Sequence, residues 1–210
     1  MQGWHAAFVS SRHFDAYMPS TACSIERPPM LRLALIFLLL AAPAAHATEA
    51  GWALLRDGGH VVLLRHAYAN GTGDPATLDI EKCATQRNLS DRGKQQARKI
   101  GSLFAARAAP VERVLSSRYC RCLDTARIAF ESEPEPFAPL DPPDADPAKR
   151  AAQLAAIVEK IRDYAGADNM ILVTHLEDVE ALTGISPREG EAVIVGTQDD
   201  GLRVIGRVTF

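Results

Sequence analysis

The chain has 210 residues, long enough for one substantial domain and short for two. Its 23 Lys+Arg against 26 Asp+Glu give a formal net charge of -3, which supplies no basic surface for nucleic acid and argues against a nucleic-acid partner.

From Met30 the sequence reads MLRLALIFLLLAAPAAHATEA: one arginine, an apolar run from Leu33 to Ala42, a proline, then Ala45-His46-Ala47. That order matches the charged, apolar and small-residue regions of a secretory signal peptide, with a run too short to span a bilayer comfortably. Residues 30–47 are therefore expected to be removed. Residues 1–29 have no consistent period and precede a signal that works only at a true N-terminus, so Met30 is read as the real start; the alternative is a membrane-anchored protein with a cytoplasmic arm. The expected product is a single mildly acidic domain over 48–210, periplasmic or secreted, with no membrane attachment after cleavage. Oligomeric state is not legible.

Its three cysteines, Cys83, Cys120 and Cys122, are an odd number for an oxidising compartment. One disulfide is expected, from Cys83 to either Cys120 or Cys122. A metal site is not expected, because CRC spacing plus a distant cysteine lacks CxxC pairing and a nearby histidine.

Glu49–Arg56 predicts a short helix stopped by Gly58-Gly59. His60–Leu64 is a continuous apolar run of strand length, suited to a sheet covered on both faces. Residues 69–87 carry NGTGDP and read as a long loop of the functional kind. Ser90 is a good N-cap for a helix whose apolar face is Ala97, Ile100, Leu103 and Phe104, ending near Ala108. Val111–Leu115 reads as a strand and Arg121–Phe130 as a helix. Glu131–Pro147 reads as a loop around a short strand near Phe137–Leu140.

Ala148–Ala165 has helical periodicity, and Met170–Val173 is a third apolar strand. A further helix follows it, and Glu191–Val195 and Leu202–Val208 flank a hairpin turn at Asp200-Gly201. Strands alternating with helices imply an α/β fold, a three-layer sandwich whose mostly parallel central sheet has helices on both faces.

In open α/β sheets, ligands bind beyond the carboxyl ends of the strands. Three apolar strands here end in Arg65-His66, in Ser116-Ser117 followed by Arg121, and in Thr174-His175. A lone histidine after a strand is usually a hydrogen-bonded structural residue. Two at equivalent ends, with two arginines placed to converge on them, suit phosphoryl transfer instead. A guanidinium offers a fixed fork of donors to phosphoryl oxygens, and a neutral imidazole is a usable nucleophile at phosphorus without a metal. No GxxxxGK[ST] loop competes.

The ordered set Leu64-Arg65-His66-Ala67, NLSDRGKQQA (Asn88–Ala97), SSRYCRCLDTA (Ser116–Ala126) and Val173-Thr174-His175 resembles the motifs of the histidine phosphatase superfamily, the phosphoglycerate mutase-like fold. The resemblance spans essentially 60–197. It implies that His66 becomes a phosphohistidine, that Arg65, Arg121 and His175 complete the phosphate pocket with His175 adding a donor, and that no cofactor is needed. Ala67 replaces the motif's glycine and Arg118 its proline. Leu176 stands where one branch of the family carries an acid, so the proton donor is open among Asp74, Asp141, Glu177 and Asp178. Each also fits a solvated or helix-N-terminal carboxylate.

The expected function is hydrolysis of a small phosphoric monoester or phosphohistidine substrate. The competing reading is a phosphate- or anion-binding protein of the same fold without turnover. A third reading, a structural domain whose histidines never meet, requires His66 and His175 to lie far apart.

Overall fold

The computed structural model describes residues 43–199 and 201–210, with side chains from residue 48 onward. The readings for residues 1–29, for most of 30–47 and for Asp200 at the hairpin turn lie outside the described residues. Helix α1 (Pro43–Asp57) and strand β1 (Val61–Arg65) come first. They are followed by α2 (Asp91–Ala106), β2 (Val111–Ser116), α3 (Cys120–Phe130) and β3 (Glu135–Pro136). The chain continues with α4 (Pro147–Arg162), β4 (Asn169–Thr174) and α5 (Leu176–Thr183), and closes with the hairpin β5 (Ala192–Gln198) and β6 (Gly201–Val208).

The six strands form one sheet in the order β3-β2-β4-β1-β5-β6. The first four run parallel, β5 pairs antiparallel with β1 and β6 antiparallel with β5, so the sheet is mixed but mostly parallel, as the strand-helix alternation implies. Strand β1 reads VVLL without polar alternation because both of its faces are covered. Val62 and Leu64 pack with Trp52, Leu55, Ile100 and Phe104, from α1 and α2. Val61 and Leu63 pack with Ile157, Ile161 and Val179, from α4 and α5. Each such fully buried aliphatic side chain contributes about 1.5–3 kcal/mol.

Helix α2 starts where Ser90 accepts a hydrogen bond from the Gly93 amide at 3.0 Å. Gly93 has a second reason to be glycine: a Cβ there would lie 1.9 Å from the Tyr68 carbonyl oxygen. The helix is thereby pressed against the turn that follows β1. At the opposite, amino end of the strands, Asn169 donates to the Leu55 and Pro110 carbonyls at 2.7 Å each and accepts from the His60 amide. His60, the remaining histidine of the domain, is therefore remote from Arg65.

The strand expected near Phe137–Leu140 is displaced. Pairing with β2 is confined to Glu135 and Pro136, and Ala138–Leu140 forms a 3-10 turn that buries Leu140. Pro136 and Pro139 each lack the N–H that a longer ladder requires. Among the described residues, no helix is long and apolar enough to cross a membrane.

Candidate active site

The carboxyl ends of β1, β2 and β4 converge as their sequence endings suggest. Arg65 pairs in register with Thr174, so His66 and His175 are the next residues on adjacent parallel strands. The His66 amide donates to the Thr174 carbonyl at 3.0 Å, and the two imidazole centroids lie 5.5 Å apart. This distance rules out the reading in which the histidines never meet.

His66 is 3% exposed. Its Nδ1 lies 2.8 Å from the Ala67 carbonyl oxygen. Only a protonated Nδ1 makes that bond, so Nε2 keeps the lone pair. Burial pulls the imidazole down to about 3; the charges of Arg121, Arg65 and Arg87 act in the same direction, against the Ala67 hydrogen bond. The ring is neutral near pH 7. The Glu189 carboxylate 4.0 Å from Nδ1 is therefore a charge facing an N–H dipole, rather than half of an ion pair.

The turn carrying His66 is held from several sides. Thr125 Oγ1 accepts the Ala67 amide at 3.0 Å and donates to the Arg121 carbonyl at 2.7 Å, which links the turn to α3. Gly190, at φ +79°, donates its amide to the His66 carbonyl at 2.9 Å. Gln96 accepts from the Tyr68 amide and donates to the Glu189 carbonyl. Ala67 is fully buried and accommodates its methyl where the family motif has glycine.

Arg121 is 4% exposed and projects from the first turn of α3. One terminal nitrogen donates to Asp74 Oδ1 at 2.9 Å, the other to His175 Nδ1 at 3.2 Å, and its Nε is buried without a partner. Arg65 donates to the Pro187 carbonyl at 2.9 Å, and its Nε is likewise a buried donor without an acceptor. Burial lowers the Arg65 guanidinium from its usual range.

A guanidinium can only donate, so His175 Nδ1 accepts and its proton sits on Nε2. Nε2 then donates to Ser117 Oγ at 2.9 Å, and Ser117 donates to Asp141 Oδ1 at 3.0 Å. Burial first, then Arg121, hold His175 well below its ordinary value, hence neutral. Both ring nitrogens are engaged, so in this arrangement His175 braces Arg121 instead of presenting a free donor.

The four carboxylates expected near the site separate. Asp74 is paired with Arg121 and also accepts the Arg87 amide. Asp141, 7% exposed, is tied to Arg118 and Ser117. Asp178 turns inward, accepting from Arg150 and Thr174; burial pushes it up to about 6. Glu177 is exposed, and its charge acts on Arg65. None of the three bonded carboxylates is free of an arginine.

Two site residues have no sequence signature. Arg87, at the end of the long loop, donates to Glu189 at 2.8 Å, and Glu189 in turn faces His66. They are 102 residues apart and sit in loops, where isolated charges ordinarily read as solvated. The loop is pinned to α3 by a Cys83–Cys120 disulfide and by Gln86, which accepts the Cys120 amide at 2.9 Å. Cys122 is free and buried, and burial pushes its thiol up, so it is held unreactive. Among the described residues, no group of three or more His, Cys, Asp or Glu is arranged to hold a metal ion.

A comparison with curated protein sequences finds no match. The family model of the histidine phosphatase superfamily (branch 1) matches residues 61–142, which carry the first three of the four motifs and the long loop. Among solved structures, the fold is similar to the protein histidine phosphatase SixA complexed with tungstate, at 20% identity and TM-score 0.50, covering 71% of this chain and 96% of that one. It is similar to an open-reading-frame product of Mycobacterium tuberculosis, at 16% identity and TM-score 0.56, covering 71% and 97%. It is similar also to the alpha-ribazole phosphatase of Shigella flexneri, at 14% identity and TM-score 0.55, covering 71% and 96%. Over residues 61–142 the chain is similar to the histidine phosphatase superfamily, and its fold is the phosphoglycerate mutase-like one of these solved structures.

Proposed function

We propose that the chain is a metal-independent phosphatase that hydrolyses phosphoric monoesters or phosphohistidine through a covalent phosphate on His66. The observation that carries this reading is the 2.8 Å bond from His66 Nδ1 to the Ala67 carbonyl, which leaves Nε2 as a neutral, fixed nucleophile. Two buried arginine donors without acceptors, on Arg65 and Arg121, match what a phosphoryl group carries: charge on three oxygens.

In the first step Nε2 forms a bond to phosphorus while the bond to the leaving group breaks, and the leaving group departs with the electron pair. The ring, still protonated at Nδ1, becomes cationic. The Ala67 carbonyl and the Glu189 carboxylate face that N–H and stabilise the charge as it develops. Water then attacks phosphorus, inorganic phosphate leaves, and Nε2 recovers its lone pair.

The domain is read as exported, over 48–210, after removal of the leader ending at Ala47. The Cys83–Cys120 disulfide supports that placement, since such bonds persist in oxidising compartments.

The test is labelling with an aryl [32P]phosphate followed by an alkaline quench. Wild type should carry label and release phosphate; His66→Ala should do neither. Binding of phosphate without any label, and without turnover on aryl, sugar and phosphohistidine substrates, would replace this reading with the anion-binding one.

A further inference from the structure

Beside the phosphate pocket lies a cavity of about 550 Å³ that the proposed chemistry does not use. It opens at the carboxyl ends of β2 and β3, between the long loop and the start of α4. Tyr119 forms the seam: its ring lines the cavity and meets His175 edge-on at 5.4 Å between centroids. Asp141 is shared in the same way, lining the cavity while accepting from Ser117, which itself holds His175. The cavity thus shares two wall residues, Tyr119 and Asp141, with the surroundings of His175.

Resting on the phosphatase reading, the geometry points to this cavity as the subsite for the leaving group, and to a flat, ring-bearing leaving group without a second phosphate. The apolar wall is built from Ile80, Tyr119, Pro139, Pro142 and Ala152. Rigid rings and short aliphatics of that kind make a slot that receives a planar apolar body at low ordering cost. The charged residues of the lining are Arg118 and Lys149 against Asp141 and Asp144, two cations facing two anions. Arg118 is already neutralised by Asp141 through its Nε at 2.7 Å. A lining with no net positive charge offers nothing to offset a second phosphate, whereas neutral or zwitterionic ring compounds are accepted.

Calorimetric titration of the intact domain with non-hydrolysable phosphonates tests this without requiring turnover. In wild type, (1-naphthylmethyl)phosphonate should bind about tenfold or more tightly than methylphosphonate, and a phenylene bisphosphonate should bind no better than the naphthyl compound. Ala152 is exposed on α4, so a larger side chain there enters the cavity without disturbing the core. Ala152→Trp should remove the naphthyl preference and leave methylphosphonate affinity unchanged, while Ala152→Ser should preserve both. Equal affinities in wild type, a naphthyl preference that survives Ala152→Trp, or preferential binding of the bisphosphonate would each overturn the subsite. A wild type that binds the naphthyl compound tightly but never labels at His66 would sustain the subsite and sink the phosphatase reading. Failure to bind either monophosphonate would overturn both.

Discussion

Arg121 donates to Asp74 at 2.9 Å, an ion pair that joins the long loop to the first turn of α3 through the guanidinium proposed to hold phosphate. Under the proposed function, a substrate phosphoryl group shares or replaces that carboxylate. Asp74→Asn should therefore strengthen competitive inhibition by inorganic phosphate, by about three- to tenfold, because a like charge is removed from the anion's neighbourhood. If Asp74 instead supplied the leaving-group proton, the variant would lose kcat on alkyl esters far more than on aryl esters, with little change in phosphate inhibition.

The two neutral histidines make stability depend on pH. His66 sits at about 3 when folded and near 6.5 when unfolded, so between those values the unfolded chain binds the extra proton, and stability falls as pH drops. His175 acts in the same direction. Asp178, raised to about 6 from 3.8, acts oppositely over its own window, because the folded state takes the proton first there. Going from pH 7 to 5, the His66 contribution is about 2 kcal/mol. Urea unfolding at both pH values should show a smaller loss in His66→Gln than in wild type; equal losses would contradict the buried neutral state.

The disulfide closes a separation of 37 residues and fastens the segment that carries Asp74 and Arg87. For a loop of that length, constraint of the unfolded chain is worth about 4 kcal/mol in the chain-entropy model. Cys83→Ser, or reduction of wild type, should lower Tm and open Lys82 and Arg87 to trypsin. Unchanged cleavage kinetics would mean that Gln86 and its neighbours hold the loop unaided.

Thr125 offers a subtler handle on His66, the proposed nucleophile. Thr125→Val keeps the shape but leaves the buried Ala67 amide without its acceptor. The expected cost is about 1–3 kcal/mol of stability, together with a drop in kcat that exceeds any rise in KM, since the His66 turn loses one support. Full kcat in a destabilised variant would show that Gly190 and Gln96 suffice.

Why the four central residues were readable is a matter of pattern. A fully buried parallel strand is uniformly apolar, so Arg65-His66 and Thr174-His175 stand out against VVLL and MILV, and the open end of the sheet gives such endings one common place. Arg87 and Glu189 have no comparable background, because charge in a loop is the ordinary state. Asp178, three residues past His175, looked available for proton transfer; the first turn of α5 instead directs it inward to Thr174 and Arg150. Helix register, which a motif does not specify, decided that outcome.

The Arg65–Thr174 rung has a consequence for how the site tolerates change. His66 and His175 continue two hydrogen-bonded neighbours, so the 5.5 Å between their rings follows the spacing of about 4.8 Å between adjacent strands. The width of the pocket is in effect a lattice constant of the sheet, ruled by main-chain hydrogen bonds. Side chains beneath it can be exchanged for others of similar volume, and the protein would lose melting temperature well before its two imidazoles lost their separation.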